Sequence, residues 1–159
     1  VAALSRAVDA AGAAPSAWRV ALARALGETG SADAIPALAK LLDGPSAPVA
    51  AAALARIGAP AAAAPLVAYV GRPGATARAE AVEALAQLAA RDAGPAIQAL
   101  LTDDRPEVRA TAARALGRLR HEPAAARLEA LKSDYYGRVR RAAVEALSKL
   151  PAGAPRSRR

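Results

Sequence analysis

The stretch Val108-Arg109-Ala110-Thr111-Ala112-Ala113-Arg114-Ala115-Leu116-Gly117 decides the fold, because its pattern returns along the chain. An apolar residue, often followed by arginine, leads through alanine-rich positions to an Ala-Leu ending. The same pattern runs from Trp18-Arg19 to Ala25-Leu26-Gly27, from Val49 to Ile57-Gly58, from Ala77-Arg78 to Ala84-Leu85 and from Val139-Arg140 to Ala146-Leu147. Its starts are 28 to 31 residues apart, a period that marks stacked supersecondary units. Alanine is the best helix former, by up to ~0.7 kcal/mol per residue over ordinary alternatives, so each block is expected to be helical.

A second pattern alternates with the first: Ile35-Pro36-Ala37-Leu38, Ala64-Pro65-Leu66-Val67, Gly94-Pro95-Ala96-Ile97 and, without proline, Ala125-Ala126-Arg127-Leu128. Each leads to a further apolar position, Leu41-Leu42, Val70, Leu100-Leu101 and Leu131, which places apolar residues on one helical face. Proline early in these segments marks a helix start, since first-turn N–H groups have no intrahelical partner. Gly27, Gly58 and Gly117 close the first helices, where a left-handed cap or a close helix approach is needed. Two helices per repeat follow.

The chain has 159 residues with no Cys, Met or Phe, so its core must be built from Ala, Leu, Val and Ile. No disulfide framework or thiolate metal site is available. Absence of an uninterrupted apolar run of about 18 residues argues against a membrane span; the chain reads as soluble, with a cytoplasmic setting favoured over a periplasmic one. The formal net charge is +8, of which Arg156, Arg158 and Arg159 supply three.

With these patterns in view, the sequence resembles the HEAT-repeat family of bacteria, in the short form named after phycobilisome lyases. The resemblance covers nearly the whole chain. It implies an all-α, right-handed α-solenoid of about five helical hairpins, with first helices on the convex side and second helices on the concave side. The repeats would lie near 15–44, 45–73, 74–104 and 105–135. A partial repeat over 1–14 would precede them, a capping helix over 136–150 would close a single array spanning 1–150, and a basic, disordered tail would occupy 151–159. The opening Leu4, Ala7, Val8 and Asp9 repeat the spacing of Leu38, Leu41, Leu42 and Asp43, which reads as a second helix lacking its first and suggests the C-terminal part of a longer protein or a processed one.

The family also implies a ladder in which an inter-repeat Asp pairs with an Arg early in the next first helix. Asp103 with Arg109 and Asp134 with Arg140 match that spacing. Asp43 faces Ala50 where the arginine belongs, and Arg19 and Arg78 lack the upstream Asp, so the ladder is expected to be incomplete in the N-terminal half.

Partners of such arrays usually lie on the concave face. Taking Leu38, Val67, Ile97 and Leu128 as equivalent core positions leaves Ala37, Leu66, Ala96 and Arg127 beside them, and Lys40, Tyr69, Ala99 and Ala130 in the next row. Lys40, Leu66, Tyr69 and Arg127 are therefore the candidate partner-binding residues, Tyr69 foremost because tyrosine offers rigid apolar area with a hydroxyl. Trp18 holds the position of Val49, Val108 and Val139 and is expected in the core or filling the longer connection after Asp9. Tyr135 and Tyr136, in the turn before the last helix, either pack under Asp134 and Arg140 or form an exposed edge.

Catalytic chemistry finds little footing. His121 is the only histidine and cannot supply a zinc site with no cysteine to help. The serines occupy caps, turns and surface positions rather than a triad, and no phosphate-binding loop, dinucleotide fingerprint or H-E-x-x-H motif occurs. No catalytic residue, metal or cofactor is assigned. The expected role is a non-catalytic scaffold for a protein partner. The alternatives are an accessory array of a larger enzyme, such as a metallopeptidase, or a subunit resembling a bilin lyase; nucleic-acid binding is the weaker reading.

Overall fold

The computed structural model describes residues 1–10 and 15–151. Residues 11–14 of the opening partial repeat, and the tail beyond Pro151, lie outside the described residues. Helices and short 3-10 turns make up the fold, and no strand occurs among the described residues. The chain is an all-α repeat solenoid.

Two compact units divide the chain between Leu88 and Ala89, inside the stretch expected as the repeat 74–104. The first unit carries α1 (Ala2–Ala10), α2 (Ser16–Glu28), α3 (Ile35–Leu41), α4 (Ala47–Ile57), α5 (Ala63–Val70) and α6 (Arg78–Gln87). The first helices α2, α4 and α6 pack in sequence, α3 packs on α4, and α5 packs on α6. Helix α1 lies against α2 and α3, as a preceding second helix would. Leu26, Leu38, Leu41, Leu42, Leu54, Leu66 and Leu85 are fully buried, each stabilising the unit by ~2 kcal/mol relative to exposure.

The second unit carries α7 (Gly94–Ala99), α8 (Pro106–Leu119), α9 (Ala125–Ala130) and α10 (Gly137–Lys149). Packing of α8 on α10 dominates, with α7 and α9 laid against them. Ile97, Leu101, Leu116 and Leu128 form its buried centre.

Small residues set how closely the first helices approach. A Cβ on Gly27 would stand 2.6 Å from Ala53 Cβ, and one on Gly117 would stand 2.6 Å from Ala146 Cα. Both glycines are helical and serve backbone contact. Gly58 does the other job: it caps α4 in the left-handed conformation at φ 70°, where glycine avoids the Cβ penalty. Thirty-one and sixty-two residues later, Ala89 (φ 51°) and Arg120 (φ 53°) adopt the same left-handed conformation without being glycine.

Every second helix buries its fourth residue: Leu38, Leu66, Ile97 and Leu128. This corrects the register read from the prolines. Pro36 and Pro95 are the second residues of their helices, whereas Pro65 is the third of α5. Aligning on proline therefore rotates α5 by one residue, about 100°, and puts Val67 where Leu66 belongs.

Candidate functional site

Leu66 and Tyr69 are buried, at 0 % and 3 % exposure, and so are corrected from surface to core positions. Tyr69 is the counterpart of Leu41, one residue past Lys40. Its hydroxyl accepts the N–H of Ala77 at 3.0 Å, tying the end of α5 to the start of α6 across the short connection. Arg78 anchors the same connection, donating from Nε to Val70 O at 3.0 Å and from Nη2 to Arg72 O at 2.7 Å. The repeat three residues shorter than its neighbours is thus closed by a phenol and a guanidinium.

Lys40 and Arg127 are exposed on α3 and α9, in separate units. Lys40 forms an exposed ion pair with Asp9 of α1, the kind of pair that contributes about 0–1 kcal/mol. In the first unit the second helices expose Pro36, Ala64 and Ala68, and in the second unit Pro95, Ala99, Ala126 and Ala130. In neither unit do these positions offer much polar recognition. Trp18, placed in the core by the repeat pattern, is 49 % exposed; the helices packed on α2, namely α1, α3 and α4, leave half of the indole uncovered.

The polar ladder exists with a different pairing from the one expected. Arg109 grips the carboxylate of the following repeat: Nε reaches Asp134 Oδ2 at 2.9 Å and Nη2 reaches Oδ1 at 3.1 Å. Its remaining nitrogen, Nη1, donates to the carbonyls of Asp103 and Asp104 at 2.8 and 3.1 Å. Arg109 and Asp103 therefore meet, but through the main chain of Asp103, whose carboxylate accepts from Arg105 N–H at 3.0 Å and Nε at 3.1 Å. Arg140 repeats the carbonyl half of the motif on Asp134 O and Tyr135 O, both at 2.9 Å. Since Arg78 also holds the carbonyls of its preceding turn, the arginine's role does not require an upstream Asp.

Asp134 is the centre of this arrangement. Burial pushes its carboxyl upward, but the Arg109 hydrogen bonds, the Tyr136 N–H at 2.8 Å and the charges of Arg109 and Arg140 outweigh it and hold it below the usual carboxylate range. The turn it organises displays Tyr135 and Tyr136 edge to face, with ring centroids 5.1 Å apart. Tyr135 is 88 % exposed and Tyr136 42 %; of the two readings of this pair, the exposed edge is the one observed. The guanidinium of Arg109 lies 5.9 Å from the Tyr136 ring centroid, within cation–π range.

Charge is uneven between the units. Residues 89–151 hold twelve Lys and Arg against eight Asp and Glu, whereas residues 1–88 hold seven against six. Within the second unit, Arg138, Arg140 and Arg141 stand in the first turn and a half of α10, and no acidic residue occupies its first turn.

His121 sits half-buried at the mouth of an open cleft of about 660 Å³ with Arg91, Arg120 and Glu122. Its Nε2 is 3.1 Å from Gln98 Oε1, an acceptor that favours the Nε2–H tautomer, and burial pulls the imidazole below its ordinary range. The ring fills the space that a side chain on Gly94 would need. Among the described residues no three of His, Cys, Asp and Glu come together as metal ligands, and no helix is long and apolar enough to cross a membrane.

The family model for HEAT repeats matches residues 71–148, and the model for the PBS lyase HEAT-like repeat matches residues 18–44. The chain is a PBS-lyase-like HEAT-repeat protein. This HEAT-repeat protein is similar to the complex of CpcE and CpcF of phycocyanin lyase from Nostoc sp. PCC7120, at 30 % identity over 77 % of this chain and 52 % of that one, with a TM-score of 0.53. A crystal structure of an engineered protein matches at 25 % identity over 92 % of this chain and 78 % of that one, with a TM-score of 0.62. Human deoxyhypusine hydroxylase matches at 19 % identity over 92 % and 84 %, with a TM-score of 0.50, which shows the shared fold alone. No match was found among proteins of curated function.

Two features of the HEAT-repeat protein escaped sequence reading. The reach of Arg109 forward to Asp134, 25 residues on, was hidden by pairing each Asp with the next Arg in sequence. The left-handed caps at Ala89 and Arg120 carry no glycine to announce them; their 31-residue spacing from Gly58 was the available signal.

Proposed function

We propose that this HEAT-repeat protein is a non-catalytic scaffold that holds a protein partner. The observation that carries the reading is the Tyr135–Tyr136 pair, exposed yet fixed. Asp134, Arg109 and Arg140 pin the backbone of that turn from both sides, so little conformational freedom is lost when a partner lands on it. Tyrosine and arginine are also the side chains most enriched where binding energy concentrates. The equivalent turn of the preceding repeat supports the reading. Asp103-Asp104-Arg105 makes the same carboxylate-to-N–H bond and receives the same arginine on its carbonyls, so the fold does not need aromatic residues there.

The test is affinity capture with the full chain from nuclease-treated extract, comparing the native sequence with Tyr135→Ala/Tyr136→Ala. A stoichiometric protein recovered by the native chain and lost with the variant is the expected result. Recovery from untreated extract that is lost once nuclease is added would overturn the reading.

Similarity to CpcE and CpcF favours one second reading, a subunit of a two-chain complex of the bilin-lyase kind. Mixing the chain with a bilin and following its absorption spectrum tests it; an unchanged spectrum counts against a bilin site on this chain.

A further inference from the structure

We infer that the Tyr135–Tyr136 turn and the first turns of α10 form one docking surface whose partner is an acidic protein segment with an apolar anchor. This rests on the scaffold reading and adds the partner's chemistry. Comparison of the two successive turns in the second unit carries it. Position for position, Asp134-Tyr135-Tyr136-Gly137-Arg138 stands where the preceding repeat has Asp103-Asp104-Arg105-Pro106-Glu107, and Arg141 stands where it has Ala110. The backbone hydrogen bonding is the same in both turns. What differs is display: exposed Asp104 becomes exposed Tyr135, half-buried Arg105, paired with Asp103, becomes Tyr136, exposed Glu107 becomes Arg138, and buried Ala110 becomes exposed Arg141, so the turn gains positive charge even though it loses one arginine.

These groups adjoin one another. Arg140 Nη2 and Arg141 Nη1 lie 3.5 and 3.8 Å from where a Gly137 Cβ would stand, so both guanidinium groups fold back over the start of the helix beside the tyrosines. Arg138 and Arg141 are exposed and form no ion pair among the described residues. The nearest carboxylate on the helix, Glu145, is taken by Lys149. A cationic cluster at a helix N-terminus with no acidic residue in its first turn presents a positive field, and a segment bearing carboxylates complements it.

A single-stranded nucleic acid fits less well. The rings meet at 80° rather than in parallel, and the Arg109 guanidinium lies over the Tyr136 ring, so the pair offers no continuous platform for successive bases. The cations gather around one helix end instead of tracking a line that a phosphate backbone could follow.

Fluorescence anisotropy of the full chain tests the inference. The probes are a fluorescein-labelled glutamate-rich peptide with a central leucine pair and a labelled single-stranded oligothymidine of equal net charge, at one salt concentration. The peptide is expected to bind saturably and to weaken about tenfold in Arg138→Glu/Arg141→Glu and in Tyr135→Ala. Arg24→Glu, an exposed charge reversal in the other unit, is expected to leave binding unchanged. Circular dichroism of each variant, with unaltered helix content, separates loss of the surface from loss of the fold. Peptide binding indifferent to the patch variants, an absence of peptide binding, or tighter binding of the oligonucleotide would each overturn it. A partner captured by the native chain and lost with Tyr135→Ala/Tyr136→Ala, but indifferent to Arg138→Glu/Arg141→Glu, would leave the scaffold reading standing and remove the acidic partner.

Discussion

Arg109 is bonded at once to the repeat it belongs to and to the one that follows: its Nη1 holds the carbonyls of Asp103 and Asp104, while Nε and Nη2 hold both carboxylate oxygens of Asp134. Both side chains keep only about a tenth of their exposure, 13 % and 9 %. Repeat arrays draw their stability from interfaces between neighbours, and this guanidinium is one such interface in polar form.

Removing either partner leaves a mostly buried charge without its counterpart. Arg109→Ala or Asp134→Ala is expected to cost about 3 kcal/mol, the lower end of the range for buried pairs because some solvent reaches this one. Chemical denaturation of the two single variants and the double variant measures it, and the double variant should cost less than the sum.

Acid should erase the same contribution. Asp134 is held below the ordinary carboxylate range in the folded chain, so the unfolded chain binds its proton first as pH falls. The stabilisation is complete above about pH 4 and is lost as pH drops from there through the folded value. The gap in unfolding free energy between the native sequence and Asp134→Asn is therefore expected to hold at neutral pH and to narrow below about pH 4.

His121 has the opposite charge type and the same sign of linkage. Burial lowers its pKa, so the unfolded chain binds the proton first and stability falls as pH drops below about 6.5. Substitution His121→Gln should flatten that decline in a thermal melt series. Its ring also occupies the space above Gly94. Gly94→Ala is thus expected to lower the melting temperature in the native background and to do so less in His121→Ala, where the ring is gone.

Close approach and backbone conformation give two predictions of opposite sign. Gly117→Ala drives a Cβ to 2.6 Å from the Ala146 backbone, which only a helix shift relieves, at about 1–3 kcal/mol. Arg120→Gly relaxes a left-handed residue whose side chain is exposed and should stabilise by about 0.5–1 kcal/mol. Denaturant midpoints of the two variants on either side of the native value are the expected outcome.

Tyr69→Phe tests the correction at the short repeat. Without the hydroxyl, the buried N–H of Ala77 loses its acceptor, a loss of about 1–2 kcal/mol, measurable by urea denaturation.

The helices and their alternation were legible because alanine-rich blocks, early prolines and the Ala-Leu endings report local preferences. Register in the second helices was legible in three repeats of four; Pro65 misled because proline tolerates either of two first-turn positions, so it fixes a helix start only to within a residue. That single slip put Leu66 and Tyr69 on the surface. Both residues of the Arg109–Asp134 rung were marked as structural, yet which carboxylate each arginine takes depends on the separation of stacked turns. Spacing along the chain does not give it. Exposure of Tyr135 and Tyr136 was equally undecided in sequence, because an aromatic in a turn packs inward or outward according to what its neighbours leave open. Trp18 shows the same limit in reverse, a core-pattern residue that its neighbours cover only by half.

The most direct measurement places a photo-crosslinking benzoylphenylalanine at position 135 of the full chain and, as control, at position 24. After irradiation in nuclease-treated extract, one dominant protein adduct at position 135 and none at 24 is the predicted result. Equal labelling at both positions, or adducts at 135 that form only in extract without nuclease, would contradict the scaffold.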